Sequence, residues 1–563
     1  MNDPDDFNLM DDPWLPYITT RGTAGTGSLR YVLTQAHEIR DLIVDVPTQY
    51  PPILRMLVAL LHRALADKNS APSTFPWSAG QWKTLHERED LPGDKIDLYA
   101  DSWRNVFGLF DRERPFLQVP KSRLTTSQDK TAALLIPDAA SGNNVPLFSS
   151  HRDDSPTPLT PAQAARWLLH VHAWDTAGIK TGAAEDPRSN KGKTTGNHTG
   201  PLGGMGVLVP AGRTLKETLL FNLLVLDREL TSEGDQPVWE RGPLSAEWDT
   251  RAPAGLLDRY TWVGRRVRLI PEDDGDGGVV VRQAIVCAGD RVEPMIRPQI
   301  REPHTAWLKN RPKTGKEASV GPVSSHRPKR HTPGQELWRG LGGLLGWDDY
   351  LDRDDSLKPQ VLHRLAQHFT RGRKLPVIQL RAYGMSYGLQ NAIIDDTYFD
   401  SLPLPLVLLL GGETRDLEER KARDLGKRVV KCVADTEEAG RALGHLAADL
   451  AFAEGGDPGT EQQARDRVTR QFFADLDQPF RTWISGTTDP DRAEEYQGEW
   501  HALARRRARR LANDLISRTG PGALRIRNRK EKTKKGEIIS VNLVTAQKSF
   551  NGRLRKHLPV KEV

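Results

Sequence analysis

The chain has 563 residues, of which 37% are hydrophobic and 27% charged, with a net charge of +6. That length exceeds what one hydrophobic core serves and the composition is that of a soluble globular protein, so two or more domains are expected and global disorder is excluded. Its two cysteines, Cys287 and Cys432, exclude a disulfide framework and an all-cysteine zinc site.

The opening FNLMDDPWLPYI alternates apolar residues and predicts a first strand. The acidic start before it lacks the basic and apolar parts of a signal peptide, which implies a cytoplasmic protein. Pro51 to Ala66 is a proline-started, apolar-faced helix, and a second helix is expected over Ile96 to Asp111. Arg112 to Val119 is predicted extended, Leu147 to Thr160 a proline-broken loop, and Pro161 to Ala173 a helix. Gly178 to Gly206 holds eight glycines among Lys, Asn and Thr, a composition expected to form no packed element. A helix over Leu215 to Leu230 comes next, then short strands with Gly/Asp turns from Arg259 to Val286. A basic loop spans Lys309 to Thr332, Asp354 to Thr370 is helical, and Leu375 to Tyr383 is a strand. Beyond Pro405 long leucine- and alanine-rich helices with i,i+4 charge pairs run to Asp514. The longest apolar run, Leu402 to Leu410, is too short to cross a bilayer. The fold class expected is α+β: a mixed domain over 1–401 with short antiparallel sheets and helices, then a four-helix-type bundle with a basic tail over 402–563.

From Arg505 onward 18 Lys/Arg face four acids, and Arg297 to Arg330 adds nine basic residues against Glu302 and Glu317. Segregated positive charge suits a surface that tracks phosphates, and equally a solubilising tail or a general RNA-binding segment. Gly384-Met-Ser386-Tyr-Gly388 matches the G-x-S-x-G elbow of serine hydrolases, with His445 as a possible partner, but the β-α alternation that a hydrolase sheet requires does not precede it. His170 and His172, two apart, point to different sides of a helix, and GKTTG at Gly192 to Gly196 lacks the upstream glycine and strand of a P-loop. No cofactor, metal site or catalytic residue is expected. A glycine-rich loop, by contrast, lets main chain approach a DNA groove closely, and a protruding tip with amide side chains can fill the space of unstacked base pairs.

Several segments in the same order resemble the CasA-type large subunit of type I-E CRISPR Cascade surveillance complexes. They are FNLMDDPWLPY (Phe7 to Tyr17), RPFLQV (Arg114 to Val119), AGIKTG (Ala177 to Gly182), the LLFNLLVL helix, QPVWER (Gln236 to Arg241) and AYGMSYGLQNAII (Ala382 to Ile394). The resemblance implies a non-catalytic subunit that reads the protospacer-adjacent motif (PAM) in target duplex DNA, helps open it for the guide RNA, and docks a helicase-nuclease. By position it places the PAM-facing loop at Gly178, Ile179, Lys180, Thr181 and Gly182, followed by a long insertion, Ala183 to Gly204. It places the basic finger at Arg291, with Arg297 and Arg301 as neighbours. The duplex wedge falls on Tyr387, Gly388, Leu389, Gln390 and Asn391, with Gln390 and Asn391 inserted beneath the first base pair. Leu147 to Thr160 would meet the 5′ end of the guide RNA and a backbone subunit; the small subunits are further partners. Where some relatives carry a cysteine-rich insertion, this chain has EDDGDGG (Glu272 to Gly278), which implies no bound metal.

Overall fold

The structure, a computed structural model, describes residues 7–66, 79–126, 130–137, 139, 158–225, 234–293, 301–310, 326–346, 356–369, 376–410, 417–530 and 538–559. It is an α+β fold that divides into two compact units. The first comprises Met1–Pro333, Pro359–Phe369 and Gln379–Ser401; the second comprises Gly334–Lys358, Thr370–Ile378 and Leu402–Val563. The partition is interleaved, since two segments preceding residue 402 belong to the second unit.

In the first unit, strand β1 (Leu15–Thr19) lies between β2 (Ala24–Gly27) and β3 (Ile39–Leu42), antiparallel to both. The predicted opening strand is thus shorter than its alternation suggested. Residues 7–14 turn instead, because the Asn8 carbonyl accepts from Asp11 and Asp12 and the Trp14 indole donates to Leu9 O at 3.0 Å. Helix α1 (Tyr50–Leu65) begins with two prolines and is buried on every face except at Arg63, as befits a central helix. Arg112 to Val119 forms turns rather than the expected extended run: Leu117 takes a positive φ of 54°, and Arg114 donates to Trp239 O at 2.7 Å. The helix expected to Asp111 ends at Trp103 and passes into a 3-10 turn. Helix α2 (Pro161–Trp174) starts at a Thr160–Gln163 capping box and has proline in its first turn.

Two further sheets hold the next strands of this unit. Strands β4 (Gly178–Thr181) and β5 (Lys193–Asn197) form an antiparallel hairpin, and β6 (Val207–Ala211) comes after them. Strand β7 (Arg265–Asp273) pairs along the whole of β8 (Val279–Ala288), and β8 takes β4 in parallel at Cys287↔Thr181. The glycine-rich stretch therefore does form packed structure. Its Thr194, Asn197 and Ala183 are buried, and Ala183 joins Val119, Leu124, Ile285 and Cys287 in one apolar cluster. Edge pairing to an apolar strand supplies the order that the glycines' own side chains cannot. In the second sheet β9 (Ile378–Tyr387) lies between β6 and β10 (Ile394–Leu404). The helix expected over Asp354 to Thr370 is confined to Gln360–His368, where Pro359 serves as N-cap.

The second unit is a helical bundle built on the 38-residue α3 (Leu417–Glu454). Against it pack α4 (Pro458–Gly486), α5 (Ala493–Arg518) and α6 (Leu543–His557). Its centre is aromatic: Trp338 stacks on Phe480 at 4.4 Å, and Trp500 meets Phe480 edge-on at 5.0 Å. The Trp500 indole donates to Thr436 Oγ1 at 2.9 Å. A two-stranded hairpin, Arg527–Lys530 with Ile538–Val541, interrupts the helices where only a basic tail was expected. No helix among the described residues is long and apolar enough to cross a membrane.

Candidate nucleic-acid interface

The site grows from the end of α2. Helix α2 stops at Trp174 and the chain leaves extended through Asp175 into β4. Gly178 opens the strand at φ +103°, a conformation that favours glycine, and a Cβ there would lie 3.6 Å from Ala392 Cβ. Just before it, Ala177 N donates to Asn391 O at 2.8 Å. The glycine hairpin (β4–β5) and the turn joining β9 to β10 are thereby neighbours, although they belong to different sheets.

That turn has an unusual backbone. Gly388 N donates to Ile393 O at 2.9 Å, and Gln390 and Asn391 take consecutive φ values of 54° and 55°. Two successive left-handed residues that are not glycine are costly for L-residues. They throw Leu389 outward, 80% exposed, beside the exposed Gln390 and half-buried Asn391. Tyr387, counted with the tip from sequence, points inward: its hydroxyl donates to Trp174 O at 2.6 Å, and burial raises its pKa. Ser386 sits within β9 and is followed by this hairpin turn, so the strand-to-helix elbow of a hydrolase is not formed. His445 lies on α3 in the other unit, where burial, then Arg553 and Arg465, lower its pKa.

In the glycine hairpin Ile179 is 62% exposed and Thr181 is half-buried. Gly182 packs so closely on Ser189 and Lys193 N that a side chain would collide. Lys180 is turned inward: its ammonium pairs with Asp175 Oδ2 at 2.7 Å, and burial pulls its pKa down. Asp175 also pairs with Arg265; burial works to raise the carboxyl's pKa, but the two cations together hold it at about 2. Lys191 and Lys193, within the long insertion, are exposed cations of this hairpin, as is Arg188, which pairs with Asp249 at 3.0 Å.

Arg291 flanks the other strand. It donates to Thr195 O at 3.0 Å and lies within 3.3 Å of Asn197 Oδ1. Its guanidinium stacks 4.1 Å from the Trp248 ring, which Arg188 also meets at 4.4 Å. The Trp248 indole is fixed to Asp186 at 3.0 Å. Burial, then Arg265 and Arg188, lower the Arg291 pKa. Arg301 is placed apart, beside the Trp307–Lys309 strand; its described partners are His326 Nδ1 at 3.3 Å and the Trp307 ring at 5.6 Å. Arg297, residues 147–157 of the loop expected at the guide RNA, and 311–325 of the basic loop lie outside the described residues. At EDDGDGG a tight turn forms, with Asp274 Oδ1 accepting from Asp276 N and Gly278 N at 2.8 Å. Among the described residues no three His, Cys, Asp or Glu side chains are grouped to hold a metal ion.

Sequence reasoning missed Arg265 and Asp175. Arg265 is 3% exposed and donates at 2.7 Å to both Thr176 O and His198 O, the residues just outside the two ends of the hairpin. In RRVRL it is one of three arginines, and nothing local marks it as the clamp. The buried Asn197 amide, donating to Gly178 O at 2.9 Å and Thr194 O at 2.8 Å, was equally unmarked.

Comparison with known proteins places the chain in a family. A family model for CRISPR-associated protein Cse1 matches residues 8–511. A curated CRISPR-associated protein CasA/Cse1 of Thermus thermophilus is 32% identical over 281 residues, a match covering 48% of this chain and about half the length of that relative. The crystal structure of Thermobifida fusca Cse1 superposes with a TM-score of 0.81 at 31% identity, over 98% of each chain. A chain of a CRISPR RNA-guided surveillance complex shares the fold, with a TM-score of 0.66 at 21% identity over 91% of this chain and 99% of that one.

Proposed function

The chain belongs to the CRISPR-associated protein Cse1 family, and from that premise we propose that it is the non-catalytic large subunit of a cytoplasmic, RNA-guided Cascade complex. In this role it reads a PAM in target duplex DNA from the minor groove, starts strand separation, and helps recruit the helicase-nuclease. Its other partners are the guide RNA 5′ end and the backbone and small subunits.

The observation that carries this reading is the adjacency of the two hairpins, joined where Ala177 N meets Asn391 O at 2.8 Å. A duplex whose motif lies against the glycine strand has its next base pairs directed at Leu389–Asn391. An exposed apolar side chain beside two amide-bearing residues is suited to entering a base step, because unstacking is offset by apolar and hydrogen-bonded contact with the freed bases. Main chain at Gly178 and the exposed Ile179 supplies close approach, Gly182 being buried within the hairpin, and Lys191, Lys193 and Arg291 supply positive potential where a narrow groove concentrates negative charge. Lys180 contributes through its backbone, its ammonium being held by Asp175.

The test is a complex reconstituted with guide RNA and challenged with a duplex library randomised beside the guide-complementary stretch. Wild type should select a motif and open the duplex. Gln390→Ala with Asn391→Ala should slow opening more than motif binding, while Arg291→Ala should weaken motif binding at moderate salt. Absence of any motif preference in the wild-type complex refutes the reading.

A further inference from the structure

Two hairpins from two sheets can act on one duplex only if their tips keep register. Successive base pairs lie ~3.4 Å apart along each strand, so a tip displaced by a fraction of that distance misses its step. The residues between α2 and β4 supply the register, one contact after another. Trp174 O accepts from the Tyr387 hydroxyl at 2.6 Å. Asp175 binds Lys180 of β4 and Arg265 of β7. Thr176 O accepts from Arg265 at 2.7 Å, while the same guanidinium holds His198 O beyond β5 at 2.7 Å. Ala177 N donates to Asn391 O. The return segment closes on the same place, with Gly200 N donating to Asp175 O at 2.8 Å and Leu202 N to Ala173 O at 3.0 Å. Glycine at 203 leaves room for the tyrosine, since a Cβ there would lie 2.8 Å from its hydroxyl.

We infer that Trp174–Ala177 is a rigid coupling between motif reading and strand separation, with Tyr387 and Arg265 as its positioning residues. Neither side chain needs to touch DNA. Tyr387 registers the splitting turn, and Arg265 pins both feet of the glycine hairpin to the same four residues. Motif engagement by the hairpin then presents the turn to the first base pairs without a separate rearrangement. This rests on the function proposed above and adds how its two halves are joined.

The test compares R-loop formation by reconstituted complexes on a fully paired target and on one pre-opened by mismatches beside the motif. Tyr387→Phe removes only the hydroxyl; Arg265→Lys keeps the charge at Asp175 but cannot hold Thr176 O and His198 O together. For both variants the paired-to-pre-opened rate ratio should fall about tenfold, the kinetic equivalent of one lost buried hydrogen bond. A merely structural role predicts equal loss on both targets and an unchanged ratio, and that result overturns the coupling, as does wild-type behaviour of both variants. Failure of the wild-type complex to discriminate motifs would instead sink the function on which the coupling rests.

Discussion

The rim of the first unit and the bundle of the second hold their shapes by different means. Around the glycine hairpin, beyond its pairing with β8, order comes from buried charge: Asp175, Lys180 and Arg265, plus hydrogen bonds to particular carbonyls. In the bundle it comes chiefly from Trp338, Phe473, Phe480 and Trp500 packed ring on ring, and the Arg428–Asp424 pair on α3 lies largely exposed. Apolar packing is strong and non-directional, whereas a buried ion pair adds little net stability but fixes geometry once formed. On the function proposed above, a surface that would meet DNA in register needs the second kind of interaction, and a scaffold needs the first.

Three measurements test that contrast. The largest effect belongs to the bundle: Trp500→Ala should cost about 3–5 kcal/mol in denaturant unfolding, because a fully buried ring and its bond to Thr436 are both lost. A cost below about 1 kcal/mol would mean the aromatic cluster is not the core. Next comes Asp175. Its folded pKa of about 2 lies below the ordinary 3.8, so its contribution is present above 3.8 and lost as pH falls through 2. The advantage of wild type over Asp175→Asn should be about 2 kcal/mol at neutral pH and vanish as pH falls from 3.8 towards 2. If it is independent of pH, the carboxylate charge is not what holds the hairpin. The smallest effect is Asp424→Asn on the face of α3, about 0.3–0.5 kcal/mol and abolished by high salt. A larger, salt-resistant loss there would erase the distinction between the two regions.

Much of the bundle was legible in sequence. Apolar residues at helical spacing pointed to the long helices of α3 to α5, because helix periodicity is a local property. Pro161 marked the start of α2 in the same way, and the structure added the Thr160 cap before it. The glycine stretch was misjudged for the complementary reason. Whether β4 and β5 form depends on β8, a strand about a hundred residues further on, and no window around Gly178 contains it. The tip at Leu389 to Asn391 was located from the resemblance. That Tyr387 faces inward followed only from Trp174, 213 residues away in sequence.

Residue type and short-range spacing were enough to specify the α+β class, the helical last third, the segregation of basic charge and the order of motifs that resembles the family. Tertiary structure alone decided that the glycine hairpin and the 388–393 turn stand side by side, that Lys180 is sequestered while Lys191 and Lys193 are exposed, and that Arg265 is a clamp. These depend on which distant carbonyls and carboxylates folding brings within hydrogen-bonding reach. Burial then gives such contacts their strength, since water no longer competes for the same groups.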